Sequence, residues 1–158
     1  MPEFVMEGRD HAARKESSFV YGFIEALFFT ETSHYTSDVW FSYETQKAIE
    51  EGTSDGNIPA DCGYTDLADS SLELIRKFCD EWRNANETAI AEIMERNPDY
   101  DETQLGRDFF YEHVGHGVGF SDRDELDSDD ADKLSDMAGH GEVNPYYDHD
   151  ERVHVSIY

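Results

Sequence analysis

The sequence predicts an α+β protein. A helical N-terminal two-thirds should pack on a small antiparallel sheet supplied by a C-terminal ββαββ segment. Three observations carry this. Apolar residues recur at three-and-four spacing in Phe19–Phe28 and again from Leu72 to Ile93, which is the period of a helix face. From Gly106 the spacing shortens towards two, the period of a strand. The 158 residues are 38% hydrophobic, with ten Phe, nine Tyr and two Trp, enough for one core in a single domain over residues 17–158.

Taken in order, residues 1–16 are polar and read as a flexible N-terminus. Ser17-Ser18 then open a short, strongly apolar helix carrying Phe19, Val20, Phe23, Ile24, Leu27 and Phe28. Thr36–Tyr43 fits a helix or a strand equally, and Lys47–Glu51 followed by Gly52–Gly56 reads as a helix end entering a loop. Ser70-Ser71-Leu72-Glu73 has the form of a capping box, in which serine and glutamate side chains satisfy helix-start amides. Leu72, Ile75, Cys79, Trp82, Ile90 and Ile93 share one side of the helix that follows, and Asn97-Pro98 supplies its stop. Asn86 interrupts that seam and reads as solvent-facing.

Phe109, Tyr111 and His113 alternate with Phe110 and Glu112, and Val114–Gly119 offers a glycine-rich turn before Phe120. This predicts a β-hairpin. Ala131–Ala138 should be a short helix ended by Gly139 or Gly141. Glu142–Tyr147 and Arg152–Tyr158 then form a second hairpin around Asp148-His149-Asp150-Glu151, with Val153, Val155 and Ile157 inward.

Thirty-seven acids against twelve Lys and Arg give a formal net charge of −25. Self-repulsion on that scale opposes compaction, so the acidity calls for an outside reason. It argues against direct binding to nucleic acid or an anionic membrane, whose phosphates reward basic clusters. Glu3, Glu7 and Asp10 stand where a signal peptide would be basic, and Phe19–Phe29 is too short to span a bilayer and contains Glu25. Cys62 and Cys79 read as free thiols of a reducing compartment, Cys79 buried on its helix, although a disulfide between them is possible.

Two stretches could carry chemistry. In the first, Asp108, His113, His116 and Asp122 surround a glycine-rich turn, and imidazoles with carboxylates suit zinc and a metal-bound nucleophile. His-x-x-His on a hairpin supplies two ligands where zinc needs three or four, so the expectation is no metal, no cofactor and no catalytic residue. Gly115, Gly117 and Gly119 lack the Lys-Ser/Thr of a phosphate loop, and no nucleophile elbow accompanies the seven histidines.

The run Gly106-Arg107-Asp108-Phe109-Phe110, a spacer, then Gly115-His116-Gly117-Val118-Gly119-Phe120-Ser121-Asp122-Arg123 resembles a family of small uncharacterised tailed-phage proteins. The flanking elements fit it, and Ser121 stands where that family carries tryptophan. The resemblance marks Asp108, His113, His116, Gly117, Gly119, Phe120 and Arg123 as a motif of unknown role. It implies a viral or mobile-element origin and action on host DNA metabolism or defence in the host cytoplasm, and it transfers no catalytic role.

The second stretch is Asp122–Asp132, with Asp122, Asp124, Glu125, Asp127, Asp129, Asp130 and Asp132. Registers beginning at Asp122 or Asp127 put Lys133 or Ala138 where a calcium loop needs glutamate. These acids read as a partner-binding stripe imitating phosphates, extended if Asp148, Asp150 and Glu151 lie beside them. The expected partner is a host DNA-binding protein or nuclease with a basic cleft. Three further readings stand beside DNA mimicry: adaptation to a salty cytoplasm, a divalent-metal hydrolase at the His113/His116 turn, and a binding module using Tyr146, Tyr147 and Tyr158.

Overall fold

A computed structural model describes residues 11–31, 43–53, 58–59, 61–116 and 119–158. Among them are six α-helices, α1 (Ser18–Glu31), α2 (Tyr43–Glu50), α3 (Asp69–Ala85), α4 (Glu87–Arg96), α5 (Glu102–Val114) and α6 (Ser128–Ala138), and two strands, β1 (Val143–Tyr147) and β2 (Val153–Ile157). Short 3₁₀ turns lie at His11–Lys15, Tyr64–Asp66 and Phe120–Asp122. The architecture is α+β: a mostly helical body with one two-stranded antiparallel sheet at the C-terminal end. No helix among the described residues is long and apolar enough to cross a membrane. The readings of residues 36–42 and of Gly117 lie outside the described residues.

The centre of the fold is the crossing of α1 and α5. A Cβ on Gly22 would lie 2.0 Å from the Thr103 carbonyl oxygen, and one on Gly106 2.0 Å from that of Phe19. Two glycines therefore let the backbones touch. Around the crossing an aromatic stack forms: Trp82 lies 4.1 Å from Phe109 at 15°, and Phe19 lies 5.7 Å from both rings. Such pairs add about 0.5–1.5 kcal/mol each beyond the area they bury. The Trp82 indole N–H donates to the Met137 carbonyl at 2.9 Å, which ties α3 to the end of α6.

The hairpin expected over Gly106–Phe120 is corrected: residues 106–114 belong to helix α5, closed by Gly115 at φ 69°. Among the described residues only the second pair of strands is present. Leu105, Phe109, Phe110, Tyr111 and His113 are all buried, so this helix is covered on several sides and shows no single stripe. The capping box at Ser70–Glu73 is also corrected. Helix α3 begins at Asp69 after Ala68 with no side-chain cap, and the buried Ser71 hydroxyl instead accepts from the Val155 amide at 2.9 Å. Asn86 is a break rather than a surface residue, ending α3 and starting α4 while its amide donates to Trp82 O at 2.9 Å. Asn97 follows the last residue of α4, where the Asn97-Pro98 stop was expected.

In the sheet, Val143 pairs with Ile157 and Tyr147 with Val153. Glu142 and Tyr158 exchange amide bonds across the strands, so by alternation Pro145 belongs to a pair that does not, and its missing N–H costs the ladder nothing. The outer edge of β2 is covered by 67–71, through Ala68 N to Val153 O and through Ser71. The last residues of the stretch 1–16 make contacts with the body. Ala13 is buried, and Glu16 accepts from Tyr64 Oη at 2.8 Å and pairs with Arg76.

Candidate functional site

Asp108 lies at the middle of the motif and is fully buried. Arg123 Nε donates to its two oxygens at 2.9 and 3.0 Å, and Arg123 Nη2 reaches Oδ1 at 2.8 Å. Tyr100 donates to Oδ2 at 2.6 Å and the Gln104 amide to Oδ1 at 3.1 Å. Burial pushes the carboxyl up from its ordinary range, opposed first by Arg123 and then by Tyr100. Burial and the Asp108 charge push the Tyr100 phenol far up, which keeps it a donor. Both carboxylate oxygens are occupied by donors from three parts of the chain. Asp108 is therefore a clamp joining α5, the 97–100 turn and the 120–123 turn, with no face left for a substrate.

A second buried carboxylate sits beside the first. Glu25 of α1 accepts from Arg107 at 3.0 Å, and Arg107 also donates to Gln104 at 3.1 Å, so Gln104 links the two pairs. Buried ion pairs contribute modestly to stability but specify how elements dock, because removing one partner strands the other.

The remaining motif residues are spread apart. His113 is buried, its Nδ1 3.2 Å from the Ala138 carbonyl and its ring edge-on to Phe78 at 5.0 Å. His116 and Asp122 are exposed. Phe120 is fully buried, and Gly119 lies where a Cβ would be 2.8 Å from the Glu112 carboxylate. Asp108, His113, His116 and Asp122 thus do not converge. No group of three or more His, Cys, Asp or Glu able to hold a metal ion occurs among the described residues. A surface cleft of about 480 Å3 opens between the start of α1 and the α3–α4 junction, and no motif residue lines it.

Of the seven acids in 122–132, six are exposed and one is not. Asp130 is buried. Arg96 reaches it at 2.7 and 3.2 Å and the Asn97 amide at 2.8 Å, and chiefly Arg96 holds its carboxyl below the ordinary range. Asp130 therefore fastens α6 to the end of α4 and leaves the expected stripe. Asp127 caps α6 by accepting from the Asp129 amide at 3.2 Å. The two acidic stretches have different anchors: 122–132 is held by Asp108, Arg96 and Asn97, and the 148–151 turn by the strands and by Arg152, which donates to Thr65 O.

Arginine and lysine divide the cationic work. Five arginines pair with carboxylates on separate elements: Arg76 with Glu16, Arg83 with Glu102, Arg96 with Asp130, Arg107 with Glu25 and Arg123 with Asp108. Lys47 and Lys77 make exposed pairs four residues away, with Glu51 and Glu81. The planar fork suits long-range cross-links, and the ammonium suits solvent. Exposed acids meanwhile occur on α2, α3, α4, α6 and the hairpin turn.

Tyr100, Gln104, Glu25 and Arg107 were not marked by the sequence reading. The available signal was Asp101-x-x-Gln104, an N-cap pattern that the structure uses, with the Asp101 side chain accepting from the Gln104 amide at 2.8 Å. It would have started a helix at Glu102 and placed Gln104 and Asp108 four residues apart on one face. No protein-family description, no curated protein and no solved structure matches this chain.

Proposed function

We propose that this chain is an acidic accessory protein of viral or mobile-element origin that occupies the basic cleft of a host DNA-binding or defence protein in place of DNA. The observation that carries the reading is the division of charge. Arginines that would offset the acids are drawn into cross-links, while Asp122, Asp124, Glu125, Asp127, Asp129 and Asp132 face solvent. Carboxylates on a folded surface steer towards a basic cleft over about 10 Å at 0.1 M salt and lose that reach as salt rises. The test is capture of partners from host lysate at low and high salt, with the chain carrying Asp122→Lys, Asp124→Lys and Glu125→Lys in parallel. A DNA-binding protein retained at low salt, released at high salt and lost by the variant supports the reading. Equal retention by the variant removes this surface as the interface.

A second reading has its own observation. Exposed acids occur on α2, α3 and α4 as well as at the supposed interface, the distribution expected of a surface suited to high salt. Chemical denaturation in dilute buffer and in molar salt separates the two. A chain that folds only in molar salt and retains no basic protein belongs to the second.

A further inference from the structure

His113 is the motif residue with unused chemistry. Its Nδ1 faces a carbonyl, which only accepts, so Nδ1 carries a hydrogen, and in the neutral form of the ring this contact leaves Nε2 as the bare nitrogen. Nε2 is buried and has no hydrogen-bond partner among the described residues. It faces Gly141, where a Cβ would lie 2.5 Å from Nε2 and 2.1 Å from the Tyr158 carbonyl oxygen. The Gly141 amide donates to the His113 carbonyl at 2.9 Å, and Glu142 and Tyr158 then close the open end of the hairpin. Residues 139–141 thus form a strap over the imidazole, joining α6 to β1.

We propose that His113 is a proton-operated latch on this strap: protonation at Nε2 loosens residues 139–142 and Tyr158 from α5. The charged ring would hold a second N–H in a buried place where no described residue accepts from it, and unpaired buried charge is costly. Among the described residues, the groups around it give no counter-charge. Helix α3 presents Phe78, and α5 presents Phe109 while its Glu112 accepts from Ser135. Helix α6 presents the Ala138 carbonyl, His140 of the strap is exposed, and the Tyr158 carbonyl at the end of β2 accepts from Glu142. The turn end of the hairpin has the opposite sign. His149 lies 3.2 Å from Asp148, which raises its pKa, so protonation there gains a partner. Mild acid would open one end of the hairpin and tighten the other.

Amide hydrogen exchange on the full chain at pH 8 and pH 5.5, read as protection factors, tests this while most carboxylates stay ionised. Gly141, Glu142 and Tyr158 should lose at least about tenfold in protection relative to Cys79 in α3, a change of about 1.4 kcal/mol. The loss should follow the His113 ring ¹⁵N titration, persist in His140→Gln and vanish in His113→Gln. If His113→Gln does not fold, the wild-type titration decides. Protection that holds or rises while the ring takes up its proton overturns the latch, and so does an equal loss in His113→Gln.

Discussion

Asp108 and Asp124 are both aspartates near the 3₁₀ turn at Phe120–Asp122, yet they do opposite work. Asp108 is fully buried and held by Arg123, Tyr100 and Gln104; Asp124 is exposed. The difference teaches how so acidic a chain can fold. A few carboxylates are spent inside as fixed cross-links to arginine, and the remainder are placed where water screens their repulsion. The motif running from Gly106 to Arg123 belongs to the first group. Gly106 permits the α1–α5 crossing, Asp108 and Arg123 form the clamp, and Phe109 and Phe120 fill the core. Its described core is a folding signature, while the acidic segment beside it is the interface candidate.

The sharpest way to break this contrast is to remove one side of the clamp. Asp108→Ala should cost about 3–5 kcal/mol in urea denaturation, because Arg123 loses its carboxylate in a half-buried site. Paired replacement by Asp108→Leu and Arg123→Met should recover much of that. If the double variant is as unstable as the single, the pair is more than a docking device. Gly106→Ala comes next, at about 1–3 kcal/mol or more, since its methyl would meet the Phe19 carbonyl and push α1 away. Ser71→Ala should follow at about 1–3 kcal/mol by stranding the buried Val155 amide, with faster exchange at that amide as its signature.

Acid titration sharpens the comparison from another side. Arg96 holds Asp130, and Arg76 holds Glu16, below the ordinary carboxylate range. A carboxyl lowered in the folded state adds stability above its unfolded pKa and loses it as pH falls through the folded one. Stability measured by thermal melting should therefore fall below about pH 4. Asp130→Asn should flatten that fall, and Asp124→Asn should not. The smallest effects belong to the exposed acids. Asp122→Asn, Asp124→Asn and Glu125→Gln should each shift stability by under about 0.5 kcal/mol. Any combined gain from relieved repulsion should shrink as salt is added.

Helices α3 and α6 and the terminal hairpin were legible in the sequence because each keeps one apolar face that sets the period, and α1, buried along nearly all of Phe19–Phe28, was legible as a short, strongly apolar run. Helix α5 was not. With α1 across Gly106, Phe78 and Trp82 against Phe109, and Ala138 over His113, it is covered on several sides, so its buried residues mimic an alternating strand. The site followed the same division. Asp108, Arg123, His113 and the acidic run were all visible as residues. That Asp108 meets Arg123, that Asp130 turns inward to Arg96, and that His113 lies beneath the strap depended on contacts between distant segments.

Composition, charge and local periodicity are properties of neighbouring residues, and the chain alone determined them: an acidic, aromatic-rich protein with α1, α3, α6 and its closing hairpin in place. Which carboxylates are buried and which face water was decided by tertiary structure alone. A side chain's exposure and its ion-pair partner depend on segments tens of residues away, and these come together only when the core closes.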